Sequence, residues 1–151
     1  MVKTENEKVK KLVSLIKDAR FVFVCGNGGS AAAAEHFAID LMSRGIKAIC
    51  LNSNISAITM ISNDFGYEFV FSKQLEIFAI PDDLLITISC SGKSQNILKA
   101  QTIAKKIGMK IFIFETFGKV RNYEKLEEKH LKFIHKVKKE LNNKKWHKDI
   151  N

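Results

Sequence analysis

Residues 21–42, FVFVCGNGGSAAAAEHFAIDLM, constrain this chain more than any other stretch. Phe21-Val22-Phe23-Val24-Cys25 is wholly apolar and rich in aromatic and β-branched types, which predicts a strand buried on both faces. Gly26-Asn27-Gly28-Gly29-Ser30 follows, a run that permits positive φ and lets a ligand approach the backbone closely. Ser30 is the expected N-cap of a helix that runs through four alanines and on past Leu41. Strand, glycine turn and helix N-terminus together make an anion site, because unpaired N–H groups and the helix dipole point at the turn. His36 and Asp40, four residues apart, share one face of that helix.

The flanking sequence alternates helix and strand signals. Val9, Leu12, Val13, Leu15 and Ile16 place an amphipathic helix over residues 3–19. The helix after Ser30 is expected to end near Ser43, with Gly45 as its stop. A second strand is expected over 46–51, then a short helical stretch after Asn54 with Ile55, Ala57, Ile58 and Ile61 on its apolar side. Asn63-Asp64-Phe65-Gly66-Tyr67 reads as a turn, and 68–79 resumes helical spacing at Val70, Phe71, Leu75 and Phe78. Pro81-Asp82-Asp83 breaks it before a third strand, 84–88. Ser89-Cys90-Ser91-Gly92-Lys93-Ser94 leads into a helix over 95–107 stopped by Gly108, then a fourth strand over 110–114. A long helix over 122–142 closes the pattern. Alternation of this kind predicts an α/β fold of three layers, with helices on both faces of a flavodoxin-like or Rossmann-like parallel sheet of about four strands. Ligands in such sheets sit outside the C-terminal ends of the strands, where the glycine and serine turns both fall.

Length predicts one domain, 1–142, with a basic tail over 143–151. No apolar run approaches the roughly 20 residues of a membrane span, and the N-terminus lacks a signal-peptide core, so the expected compartment is the cytoplasm, with no membrane partner. Cys25, Cys50 and Cys90 lie in strand-like runs without CxxC spacing, which predicts reduced core thiols. The net charge of +9 raises the question of nucleic acid. From Lys132 onward there are seven lysines against two acidic residues, so the excess gathers in the last helix and tail. A solvated lysine-rich face accounts for that, and nucleic acid is not the expected partner.

Two familiar nucleotide motifs fail on inspection. Gly26-x-Gly28-x-x-Ala31 fits the dinucleotide fingerprint, but the acidic residue wanted after the second strand is replaced by Asn52 and Asn54. Gly92-Lys93-Ser94 ends like a P-loop, yet the first glycine of that motif would fall on Thr87. Ser89, Ser91 and Ser94 instead cluster hydroxyls at a strand-to-helix junction, which suits a phosphate monoester as well as it suits plain turn and capping roles. Glu124, Glu127, His130 and His135 lie on the final helix, where a charged outer face is the plainer reading for each. The two histidines are five residues apart, roughly 140° around the axis.

These motifs, in this order, resemble the sugar isomerase (SIS) domain over about residues 10–141. The glycine run with His36-Phe37-Ala38 and the Asn63-Asp64-Phe65-Gly66 turn resemble, more narrowly, the phosphoheptose isomerases. That resemblance implies interconversion of sedoheptulose 7-phosphate and D-glycero-D-manno-heptose 7-phosphate through an enediol, for lipopolysaccharide or capsule heptose. Carried over by position, it implies phosphate binding by Ser89, Ser91 and Ser94, with Cys90 among the substrate contacts. It implies sugar contacts from Asn27, Gly28, Ser30, Asn63, Asp64 and Glu124, and one zinc ion held by His36, Asp40, Glu127 and His135. It also implies a homo-oligomer, tetramer or dimer, with sites at subunit boundaries.

The base falls by position on Asp40 and the acid on His135. At the base position the family usually has Glu, and at position 127 it usually has Gln, so Glu127 stands as a rival base. The chain also lacks the family's extra N-terminal helix, and the stretch after Phe114 is too short for its usual fifth strand. A non-catalytic SIS module that binds a phosphosugar or serves as an adaptor is the alternative from another functional class.

Overall fold

The structure, a computed structural model, describes residues 4–116 and 122–141. Helix α1 (Glu5–Asp18) opens on a capping box in which Thr4 Oγ1 accepts from Glu7 N while the Glu7 carboxylate accepts from Thr4 N. Strand β1 (Val22–Gly26), helix α2 (Gly29–Met42), strand β2 (Ala48–Cys50) and helix α3 (Ile55–Asp64) follow. A 3₁₀ turn (Tyr67–Phe69) leads to α4 (Ser72–Phe78), β3 (Leu84–Ile88), α5 (Gln95–Ile107), β4 (Lys110–Ile113) and α6 (Tyr123–Glu140). The four strands are parallel in the order β2-β1-β3-β4, so the connections leave β1 in opposite directions and create a switch point between β1 and β3.

Strand side chains alternate between two cores, as the pleat requires. Val22, Val24, Leu84, Ile86, Ile88 and Phe112 pack against α1, α2 and α6 on one face. Phe23, Cys25 and Leu85 pack against Ile61, Phe71, Leu75, Ile97 and Ala100 on the other. The layers are thus the expected three. Arg20 clamps the N-terminal edge of the sheet by a bidentate pair with the fully buried Asp83, at 3.0 and 2.8 Å.

Several boundaries differ from the sequence expectation. The N-cap of α2 is Gly28, at φ 56°, not Ser30: Ser30 N already donates to Asn27 O at 3.0 Å, so Ser30 lies inside the first turn. Asn63 and Asp64 belong to the last turn of α3, and the turn itself starts at Phe65 because Gly66, at φ 107°, is the residue that breaks the helix. The expected helix over 68–79 is split, since Tyr67–Phe69 forms a 3₁₀ turn and α4 begins only at Ser72. All three cysteines are free and buried; burial pushes the thiols of Cys25 and Cys90 up and that of Cys50 up to about 11. The basic tail lies outside the described residues. No helix among the described residues is long and apolar enough to cross a membrane.

Candidate active site

The glycine turn after β1 and the serine turn after β3 meet at the switch point. Asn52 brackets the first of them from β2, its Oδ1 accepting from Gly26 N at 3.2 Å and its Nδ2 donating to Gly26 O at 2.8 Å. Asn27 is fastened to Asn96 by two amide hydrogen bonds, 2.9 and 2.8 Å, and accepts from Tyr67 Oη at 3.1 Å. Asn96 is 2% exposed. Nothing in the sequence singled it out, because an Asn in the first turn of a helix ordinarily reads as local capping.

Ser89 Oγ accepts from Gly92 N at 3.0 Å and Ser91 Oγ from Lys93 N at 3.2 Å, which holds the serine turn in shape. Ser94 caps α5 without spending its hydroxyl on the backbone. Asn27, Ser30, Ser89, Cys90, Ser91, Ser94, Tyr123 and Glu127 line a polar cavity of about 150 Å³ at this junction. A larger cavity, about 660 Å³, lies beside β4 among Phe112, Phe114, Phe133 and α1; no residue of either turn lines it.

Helices α2 and α6 run side by side in the same direction. Gly29 faces Glu127, His36 faces His135 and Asp40 faces Lys138, in register along both helices. The second of these contacts brings the two Nε2 atoms to 3.1 Å. Asp40, 5% exposed, places Oδ2 at 3.2 Å from His36 Nε2 and Oδ1 against the ammonium of Lys138. The Oδ2 approach is off-axis, so that oxygen is buried without a hydrogen bond. His36, Asp40 and His135 each offer a donor atom within 4.8 Å of the others. Two ring nitrogens and an orphaned carboxylate oxygen converging on one point fit a divalent cation, and this N,N,O set suits zinc.

Glu127 stands outside that triad. It lies two turns earlier on α6, roughly 12 Å along the axis from His135, with its carboxylate filling the space beside Gly29. Asn63, Asp64 and Glu124 are exposed, and none is among the residues lining the serine cavity. Asn63 Nδ2 donates to Asp64 Oδ1 at 3.0 Å, and the 3₁₀ turn that follows reaches the site through Tyr67. Gly28 supplies the positive φ of the turn. His130 points the other way from His135: it is 2% exposed, lies edge-on to Phe114, and its Nε2 is 2.7 Å from Glu115 O. Lys138 was read only as part of a solvated lysine face; its pairing with Asp40 depends on the packing of two helices about a hundred residues apart.

Known proteins resemble this chain in sequence and in fold. The SIS domain family matches residues 1–114. A phosphoheptose isomerase of Helicobacter pylori strain ATCC 700392 / 26695 is 46% identical over 110 residues, 69% of this chain and 57% of that protein. The chain spans about half the length of the Helicobacter pylori relatives it matches. A phosphoheptose isomerase of Campylobacter concisus is 36% identical over 165 aligned positions, covering 89% of this chain and 87% of the relative. The solved phosphoheptose isomerase of Neisseria gonorrhoeae superposes with a TM-score of 0.85 at 29% identity, over 90% of this chain and 86% of that one.

Proposed function

This chain belongs to the SIS domain family and, within it, to the phosphoheptose isomerases, and we propose that it interconverts sedoheptulose 7-phosphate and D-glycero-D-manno-heptose 7-phosphate. The observation that carries the reading is the separation along α2 between the serine-lined cavity and the His36–Asp40–His135 triad. Hydroxyls and helix N–H groups gather at one end, and the His36–Asp40–His135 triad sits at the other. From Gly29 to His36 the rise is roughly 10 Å, of the order of an extended seven-carbon chain, and the reacting carbons of this substrate lie at the far end from its phosphate.

In this reading Ser89, Ser91 and Ser94 hold the phosphate, and Asn27 and Ser30 orient the sugar above the glycine turn. Asp40 is the base, in preference to Glu127, because it shares the triad with His135 while Glu127 lies with the serines. Its two oxygens divide the work: Lys138 holds Oδ1, and Oδ2 takes the proton from the carbon beside the carbonyl. His135 supplies a proton to the carbonyl oxygen, which completes the enediol. His36, Asp40 and His135 would hold a zinc ion, which when bound supplies polarisation of the sugar oxygens in place of protonation. Glu127, at the serine end, orders the sugar beside the phosphate.

We infer further that the protein works in the cytoplasm as a homo-oligomer and serves heptose for lipopolysaccharide or capsule. Relatives bearing an isomerase name favour the enzyme over an adaptor or binding module. The test is turnover of sedoheptulose 7-phosphate followed by NMR, with and without chelator, alongside Asp40→Asn. Product in the untreated protein, and a loss of 10²- to 10⁴-fold in Asp40→Asn with sugar phosphate still bound, is the expected result. Binding without turnover in every sample would return the reading to a non-catalytic module.

A further inference from the structure

We propose that Lys138 is a resident cation of the triad, neutralising Asp40 when no metal is held and opposing a divalent ion for the same carboxylate. The proposal rests on the metal reading above. Its first support is placement. Lys138 and His135 are three residues apart on α6, so both project from one face onto α2, and among the described residues Asp40 is the one carboxylate that Lys138 pairs with. The second is burial. Asp40 is 5% exposed, and burying a carboxylate without a counter-charge is costly, so the ammonium against Oδ1 offsets that cost. The third is the division of the carboxylate already described: Oδ1 is occupied by Lys138 while Oδ2 faces the histidines, 3.2 Å from His36 Nε2, without a hydrogen bond.

A divalent ion on Oδ2 and the two ring nitrogens would share one anion with an ammonium on its other oxygen. Two cations at that separation repel, and at a buried carboxylate the repulsion is poorly screened. Lys138 therefore weakens metal binding while it stabilises the metal-free fold. Removing its charge has two linked consequences. Metal binds more tightly, and the metal-free protein melts earlier.

The experiment is a zinc titration against a chromophoric chelator at fixed pH, with melting temperatures measured with and without zinc, for the wild type and three variants. Lys138→Met keeps the length of the side chain without its charge. Lys138→Gln is a second neutral form should the first fold poorly. Lys138→Arg restores the charge. The expected result is zinc binding tighter by about tenfold or more in the neutral variants, near wild-type affinity in Lys138→Arg, and a lower melting temperature in the neutral variants that zinc recovers. Equal or weaker zinc affinity in both neutral variants would overturn the role given to Lys138 and leave the zinc site standing. Zinc bound by none of the four proteins would overturn the metal reading and this proposal with it.

Discussion

Two glycines three residues apart carry different burdens. A Cβ on Gly26 would lie 2.5 Å from Ser30 O and 2.9 Å from Ile88 O, both backbone atoms held by a strand and a helix turn. Gly26→Ala is expected to cost about 1–3 kcal/mol, the usual range for overpacking, read by urea denaturation. The atoms nearest a Cβ on Gly29 would be those of the Glu127 carboxylate, and a side-chain end can swing away. Gly29→Ala should keep its denaturation midpoint yet displace Glu127, lowering turnover by on the order of 100-fold if the group moves by about 1 Å. A midpoint as low as that of Gly26→Ala would refute the distinction. His130 offers a pH test. Burial lowers its pKa below the ordinary 6.5, so the folded chain binds fewer protons there than the unfolded chain. Its contribution to stability is complete above pH 6.5 and is lost as acidification passes through the lowered value. The melting temperature of His130→Gln should fall less steeply than that of the wild type between pH 7 and pH 5. From spacing alone His130 and His135 were legible as lying on different faces of a helix; which face met α2 was not.

At the scale of elements, the sequence was most readable where the chain is punctuated. Strand β3 and helix α5 have the expected bounds, because Pro81 to Asp83 precedes the one and Gly108, at φ 94°, stops the other. The start of α2 lies two residues earlier than expected because a glycine, Gly28, takes the cap that a serine usually takes. That shift has a functional result: the Ser30 hydroxyl, inside the helix, lies 3.9 Å from Cys90 Sγ and joins the cavity lining in place of capping. Helix α6 carries half of the site, and its start depends on Asn122, whose Oδ1 accepts from Lys125 N at 2.9 Å. Asn122→Ala should cost about 1 kcal/mol, visible as a lower denaturation midpoint. An unchanged midpoint would mean that packing on α1 and α2 alone sets the helix start.

The whole molecule leaves large apolar side chains on its surface. Ile55 and Met60 on α3 and Phe65 just after it are 71%, 58% and 56% exposed, and on α2 Ile39 is 52% exposed. Single exposed residues are ordinary, but three large apolar side chains on and just after one helix suit burial against further copies of the chain. Sedimentation equilibrium is expected to show a dimer or tetramer, and Ile55→Asp to shift it towards the monomer. A wild-type monomer at tens of micromolar would refute the oligomer and the site at its boundary. Order in the sheet belongs to this scale as well. Strand β3 inserts beside β1 and not beside β2, and that crossing brings the serine turn against the glycine turn.

By itself the sequence determined the elements, their layering and the two turns, because apolar period, glycine and proline act within a few residues of where they stand. It also made His36 and Asp40 neighbours, since a helix fixes positions four apart. Tertiary structure decided the rest. Which face of α6 meets α2 depends on the burial of Phe133, Ile134 and Val137, and that packing sets Glu127 beside Gly29, His135 beside His36 and Lys138 on Asp40. Contacts between helices so distant in sequence have no local signature, so the partners of Asp40 emerge only once both helices have packed against the same face of the sheet.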